Sequence, residues 1–349
     1  MTRAALLFPL ATLTPLPLIV AGAWWGGLWA AAALVYLTLF TVVLDEVAAA
    51  TARPGEEFPA APALSVALAV AHFGLLATVV PALGGAAEIG TAAWLASFGA
   101  TGLYLGQVSN ANAHELIHGR SRLRFQLGRW VYISLLFGHH ASAHLLVHHR
   151  CVATPEDPNS APRGMSFYRF FPRAWAGSFR AGLAAENARH RAAFGKIRPL
   201  RHPYTVYVSG GAAFAMAAGL LGGATGLAVF LALAIWAQAQ LLLSDYVQHY
   251  ALRRDTAPHG RPEPVRPAHS WNAPHWFSAY LMLNAPRHSD HHAHPAKPYP
   301  ALELTQDTPT LPYSLPVMCT LALFPPRWRR LMDRRAEAWR RPELRTAAE

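Results

Sequence analysis

The sequence predicts an all-α integral membrane protein of about six transmembrane helices, with a histidine-rich site for two metal ions on its cytoplasmic side. Three observations carry that expectation. Only 14% of the 349 residues are charged while 53% are hydrophobic, and the apolar residues are bunched into membrane-length segments. Nearly every Lys and Arg falls on one side of the topology those segments imply. Nine histidines gather just past the segments or in the polar stretches that follow them.

A hydrocarbon core of roughly 30 Å requires about 20 residues of helix. Candidate spans run near 5–23, 25–44, 63–83, 89–109, 204–221 and 224–243. They pair into three hairpins whose tips, 22–27, 84–88 and 219–226, carry no Lys or Arg. All Lys and Arg except Arg3 and Arg53 lie in 120–201 or after Leu252, and those two fall on the same side of an even topology. The positive-inside rule then places both termini and every histidine cluster in the cytoplasm, across a bacterial inner membrane. Arg3, the apolar run and the small residues at 21–23 imitate a secretory signal, but a second span follows at once, so the segment is kept as the first helix. Trp24, Trp25 and Trp29 are expected at a membrane interface, and His72, an ionisable residue inside a span, as a helix-packing residue.

With no internal repeat or low-complexity linker, residues 1–349 read as one domain. Its membrane spans cover about 5–109 and 204–243, and its cytoplasmic catalytic regions about 110–203 and 244–349. Two cysteines, Cys151 and Cys319, make no disulfide framework and no Cys-x-x-Cys pair. The chain has no iron–sulfur module and no Gly-x-Gly-x-x-Gly fingerprint, so any reductant has to dock from outside. A net charge of +11 suits anionic membrane lipid or an acidic electron carrier. Nucleic acid is not expected without a recognisable reader. The run 327–341, with Trp328, Leu331 and Trp339 among its arginines, reads as an amphipathic helix on the membrane surface.

His114-Glu115-Leu116-Ile117-His118 puts two imidazoles at i and i+4, on one helix face. Taken alone this is also the zinc-protease pattern, with Glu115 as general base, but a protease needs one further ligand and this chain offers seven further clustered histidines. His144, His148 and His149 repeat the i, i+4 spacing and add an imidazole about 100° around the helix, so that one can face each of two ions. His139 and His140 lie one turn earlier, and His140, His144 and His148 are expected to stack along one face; the first two are read as supporting or solvent-facing residues. His249 follows the sixth span with Asp245 four residues before it, a carboxylate placed to orient the ring. His288, His291 and His292 complete the set, with Asp290 among them. Neutral imidazoles at this density are ligands for transition metals, and nine exceed the four positions of one zinc.

These stretches make the chain resemble the membrane alkane hydroxylase (alkane 1-monooxygenase) family, within the superfamily of membrane fatty acid desaturases and hydroxylases. The resemblance covers nearly the whole chain. It is carried by His114 to His118, by His144-x-x-x-His148-His149 followed by Val152-Ala153-Thr154-Pro155-Glu156-Asp157-Pro158, and by Arg287-His288-Ser289-Asp290-His291-His292-Ala293. It implies a di-iron centre held by His114, His118, His144, His148, His149, His249, His288, His291 and His292. Glu115, Asp245, Asp290 and His140 are the candidates to support those ligands. It further implies O2 as co-substrate, terminal hydroxylation of medium- or long-chain n-alkanes drawn from the membrane, and electrons from rubredoxin and its NAD(P)H reductase.

Gly119, Ala143, Asp245, Gln248, Ala251 and the pair Ala285-Pro286 depart from the family pattern at flanking positions, which leaves the ligand set whole and bears on tuning and substrate. Residues 154–158 read as a rigid polar turn, since proline fixes the backbone, and not as a catalytic carboxylate pair. Desaturation or hydroxylation of a fatty acid or other lipid is the alternative inside the superfamily. An intramembrane zinc protease and a metal transporter are the alternatives outside it.

Overall fold

The computed structural model describes residues 2–47, 55–256, 260–305 and 308–340. Arg53 and Arg341, which entered the charge argument and the amphipathic run, lie outside them. Regular structure among the described residues is helical apart from three isolated β-bridges.

Four helical stretches are long and apolar enough to cross a membrane: α1 (Arg3–Trp25), α2 (Gly27–Val47), α3 (Ala61–Ala86) and α8 (Pro203–Gln248). Six separate stretches were expected, and the difference has two sources. The expected fifth and sixth spans form one 46-residue element, α8, whose backbone breaks at Gly223 (φ +64°, ψ −160°), inside the expected tip. Only glycine adopts that left-handed φ without strain. The expected fourth span lies in α4 (91–118), which is helical throughout but dilutes its apolar residues with Thr, Ser, Gln and Asn. Gly84 lets α3 approach α8 so closely that a Cβ there would stand 2.9 Å from the Gly226 Cα, the small-residue packing expected of helices in lipid.

The remaining helices are α5 (Arg122–Ser134), α6 (140–151), α7 (Phe167–Phe194), α9 (Trp276–Leu281), α10 (His288–Ala293), α11 (Leu315–Ala322) and α12 (Pro325–Arg340). The end of α2 ties them down. Oδ1 of Asp45 accepts the backbone N–H groups of Phe277 (2.9 Å) and Ser278 (3.1 Å), Glu46 accepts from Ser314, and the Trp276 indole donates to the Leu44 carbonyl. A carboxylate 232 residues away thus caps the first turn of α9, where helix donors otherwise lack partners.

The surface-helix reading of 327–341 needs correction. Trp328 is fully buried against Tyr246 and Tyr250, with ring centroids at 5.3 and 5.2 Å, and Trp339 donates to the Ala268 carbonyl. The apolar face of α12 therefore packs on protein, leaving its arginines outward. His72 hydrogen-bonds Ser134 at 2.7 Å, a packing role. Trp24, Trp25 and Trp29 are exposed at the α1–α2 turn.

Candidate metal centre

The site is assembled from helix ends. Helix α4 continues past its apolar stretch and carries His114 and His118 four residues apart, on one face. Helix α6 contains a π turn, His144–His148, in which the N–H of His149 bonds the carbonyl of His144. An i to i+5 bond aligns residues five apart. Consequently His144 and His149 point together, and His148 points elsewhere. His249 stands at the C-cap of α8, its N–H on the Asp245 carbonyl at 2.9 Å. On α10, His288 and His292 share a face, while His291 lies about 100° around from His292.

The nine histidines converge in two groups: His114, His118, His144, His149 and His291 in one, His148, His249, His288 and His292 in the other. Within each, the ligand atoms all lie within 4.8 Å of one another. The sequence left open how the histidines divide: the rings of His144 and His148 stack at 5.2 Å, but the π turn sends them to different groups. The division of His288, His291 and His292, with His291 apart from its neighbours, was also beyond spacing rules.

The nitrogen geometry fits cations. The Nε2 atoms of His118, His144 and His149 lie 2.9–3.1 Å from one another. An imidazole nitrogen has one in-plane site, either an N–H or a lone pair, so three such mutual contacts cannot all be hydrogen bonds. A cation between three lone pairs satisfies every one of them. Nε2 of His288 likewise approaches those of His249 (2.9 Å) and His292 (3.1 Å), and Nε2 of His148 is buried without a partner. Burial, reinforced by neighbouring imidazoles, holds His118, His144, His149, His249, His288, His291 and His292 well below the usual histidine pKa and His114 at about 3. Neutral rings keep their lone pairs for metal. Five imidazoles in one group also exceed what a zinc protease holds.

His148 is the exception. Burial lowers it, but the Asp157 carboxylate, 2.9 Å from its Nδ1, outweighs that and leaves it above the ordinary value. Sequence reasoning took Asp157 for part of a rigid turn. The turn is present, with the Asp157 N–H on the Thr154 carbonyl, yet Asp157 also accepts from Ser160 Oγ and the Asn159 N–H while orienting a ring. Its signal was a carboxylate between two prolines nine residues beyond His148.

The expected supporting residues are placed differently. Asp245 accepts from Asn159 at 2.6 Å instead of holding the His249 ring, whose Nδ1 lies 3.5 Å from Ser270 Oγ. Asp290 binds His294, Lys297 and the Glu303 N–H. Glu115 is raised to about 7 by burial, against a hydrogen bond from the Tyr299 backbone and the charge of Arg124. His140 stacks on Phe137 and lies 5.0 Å from the His144 ring. His139 is buried beside Ser178 and lowered by burial to about 4, so neither faces solvent.

A cavity of about 1040 Å³ runs between α2, α4, α8 and α11 and ends at His114, His144 and His288, touching both groups. Leu37, Val42, Phe98, Leu103, Ile235, Trp236 and Leu321 line it. Its polar residues are mostly turned onto protein. Thr38 donates to the Leu34 carbonyl, Asn110 to Ala237, Gln240 to Gly102, Gln248 to Ala285, Thr320 to Pro316 and Ser244 to the Gln248 side chain. What they leave facing the cavity is apolar surface.

A sequence model of the family described as fatty acid desaturase matches residues 89–322. The chain is 32% identical over 256 residues to alkane 1-monooxygenase 2 of Alcanivorax borkumensis, covering 73% of this chain and 66% of that protein. It is 34% identical over 255 residues to alkane 1-monooxygenase 1 of Pseudomonas aeruginosa, covering 72% and 65%. Against the xylene/toluene monooxygenase hydroxylase component of Pseudomonas putida, the identity is 29% over 219 residues, 62% and 57% of the two chains. The chain thus spans just under two thirds of the length of these two alkane 1-monooxygenases.

Proposed function

We propose that this chain, which belongs to the fatty acid desaturase family, hydroxylates the terminal methyl group of medium- or long-chain n-alkanes. One observation carries the reading: an apolar cavity ends at both histidine groups with most of its polar residues turned onto protein. An alkane has no charge or hydrogen bond to recognise, and a wall of engaged polar groups around a long apolar space admits it. Such a C–H bond has no acidic proton and no carbonyl to polarise, so side-chain acid–base chemistry cannot attack it. Two irons, with O2 and electrons from rubredoxin and its NAD(P)H reductase, supply that oxidising chemistry when bound.

The chain's own residues bind, orient and exclude water. His114, His118, His144, His149 and His291 would hold one iron, and His148, His249, His288 and His292 the other. Asp157 keeps the Nδ1 proton of His148 in place and so directs its Nε2 lone pair to metal. The cavity wall holds the chain end beside the rings, the positioning that makes such a reaction effectively unimolecular. The topology follows the charge distribution: six crossings of a bacterial inner membrane, α4 and the two arms of α8 included, with termini and histidines in the cytoplasm and the whole chain acting as one domain.

Membranes containing this chain, rubredoxin and its reductase, fed n-alkanes under ¹⁸O2, test the reading. Labelled primary alcohol is the expected product. Alkene, or products from fatty acids alone, would replace it with the desaturase or lipid-hydroxylase alternative.

A further inference from the structure

Three backbone carbonyls converge on one side chain behind the four-membered histidine group. Nη2 of Arg173, on α7, donates to the carbonyls of Pro158 (3.0 Å) and Ser160 and lies 3.5 Å from that of Asp157. Carbonyl oxygens aimed at one point repel one another, and a guanidinium placed there turns that cost into charge-assisted hydrogen bonds. One turn along α7, on the same face, Gly177 leaves room for the loop: a Cβ there would stand 2.7 Å from the Pro158 Cβ. Arg173 and Gly177 together make a seat on α7 for residues 157–160.

That loop carries two side chains that reach the site. Asp157 stands 2.9 Å from Nδ1 of His148, and Asn159 donates to Asp245 in the cavity wall. The other contacts of the Asp157 carboxylate, with Ser160 Oγ and the Asn159 N–H, are internal to the loop and move with it. Its distance from the ring therefore depends on where the loop as a whole is held.

We infer, resting on the reading above that the two groups hold metal, that Arg173 is a positioning residue for the metal centre. It acts through the loop backbone: Arg173 sets the loop on α7, the loop sets Asp157, and Asp157 sets the direction of the His148 lone pair. By this route α7 acts on the four-membered group and not on the five-membered one.

The test is Co(II) titration of the metal-free full chain in micelles, followed by the visible absorption of histidine-bound cobalt. The unaltered chain is expected to take up two ions. Arg173→Met, which keeps the stem and removes the donors, should weaken one of the two sites about tenfold, the lower end of what an outer partner costs, and leave the other unchanged. The effect should vanish in Asp157→Ala, where no carboxylate is left to position, and in His288→Ala, where the site that remains is the other one. Gly177→Ala disturbs the loop from the far end of the seat and should weaken the same site, which keeps the inference testable if Arg173→Met does not fold. Equal weakening of both sites, or a full Arg173→Met effect without Asp157, marks a general loss of packing and overturns the inference. Two bound ions with unchanged affinities in both folded variants remove it and leave the metal reading standing; no Co(II) bound by the unaltered chain removes both.

Discussion

Of the two histidine groups, the four-membered one is buried at every ring, whereas three rings of the five-membered one are slightly exposed. They also differ in what stands behind them. In the four-membered group His148 leans on Asp157, Asp157 leans on Ser160 and Asn159, and Asn159 reaches Asp245. Each group also holds rings without such support: the Nδ1 atoms of His144 and His149 in the larger, and of His288 and His292 in the smaller, are buried without partners. A ring held at both nitrogens has a fixed tautomer and direction, and one held only by its metal does not. The difference is confined to one ring: among the described residues, His148 of the smaller group is the member of the nine whose ring meets a carboxylate.

Removing a ligand is the most severe way to break this comparison. His288→Ala and His144→Ala should each abolish hydroxylation, a loss beyond the roughly 10- to 100-fold that supporting residues cost. Each should remove about one of two irons per chain, counted by elemental analysis of purified protein. Equal and complete loss of both irons in each variant would mean that the groups are not separate sites.

Next in size is Asp157→Asn, which keeps the shape and removes the charge. Iron affinity of the four-membered group should fall by roughly 10- to 100-fold, with the other group little changed. Asp245→Ala acts through Asn159, one step further back, and should cost less. Titration of metal-free protein with Fe(II) separates the two variants, and an Asp245 effect as large as that of Asp157 would reverse their assigned order.

The smallest effect sharpens the contrast by leaving both groups alone. Asp45→Ala removes the cap on α9 and should cost about 1 kcal/mol of stability, seen as a lower Tm of the metal-loaded protein in micelles at unchanged iron content. Loss of iron in this variant would instead tie the cap to the centre.

Much of this was legible in the residues. Apolar runs of membrane length and histidines three to five apart need no tertiary information, because helix periodicity and the cost of charge in lipid act locally. The grouping of the histidines was not legible. It depends on a π turn at His144–His148, which i, i+4 spacing does not anticipate. Asp157 and Asp45 were missed for a related reason, since each acts on a partner chosen by folding: a ring on another turn, or a helix start 232 residues away.

The sequence by itself determined the helical membrane class, the nine imidazoles and the position of the turn at Gly223, because composition and local backbone preference decide those. Only the tertiary structure decided which histidines come together, which carboxylate meets His148, and that α12 buries Trp328 in protein. These depend on which surfaces meet when distant segments pack, and a hydrogen bond or a metal ligand responds to a few tenths of an ångström that no spacing rule carries.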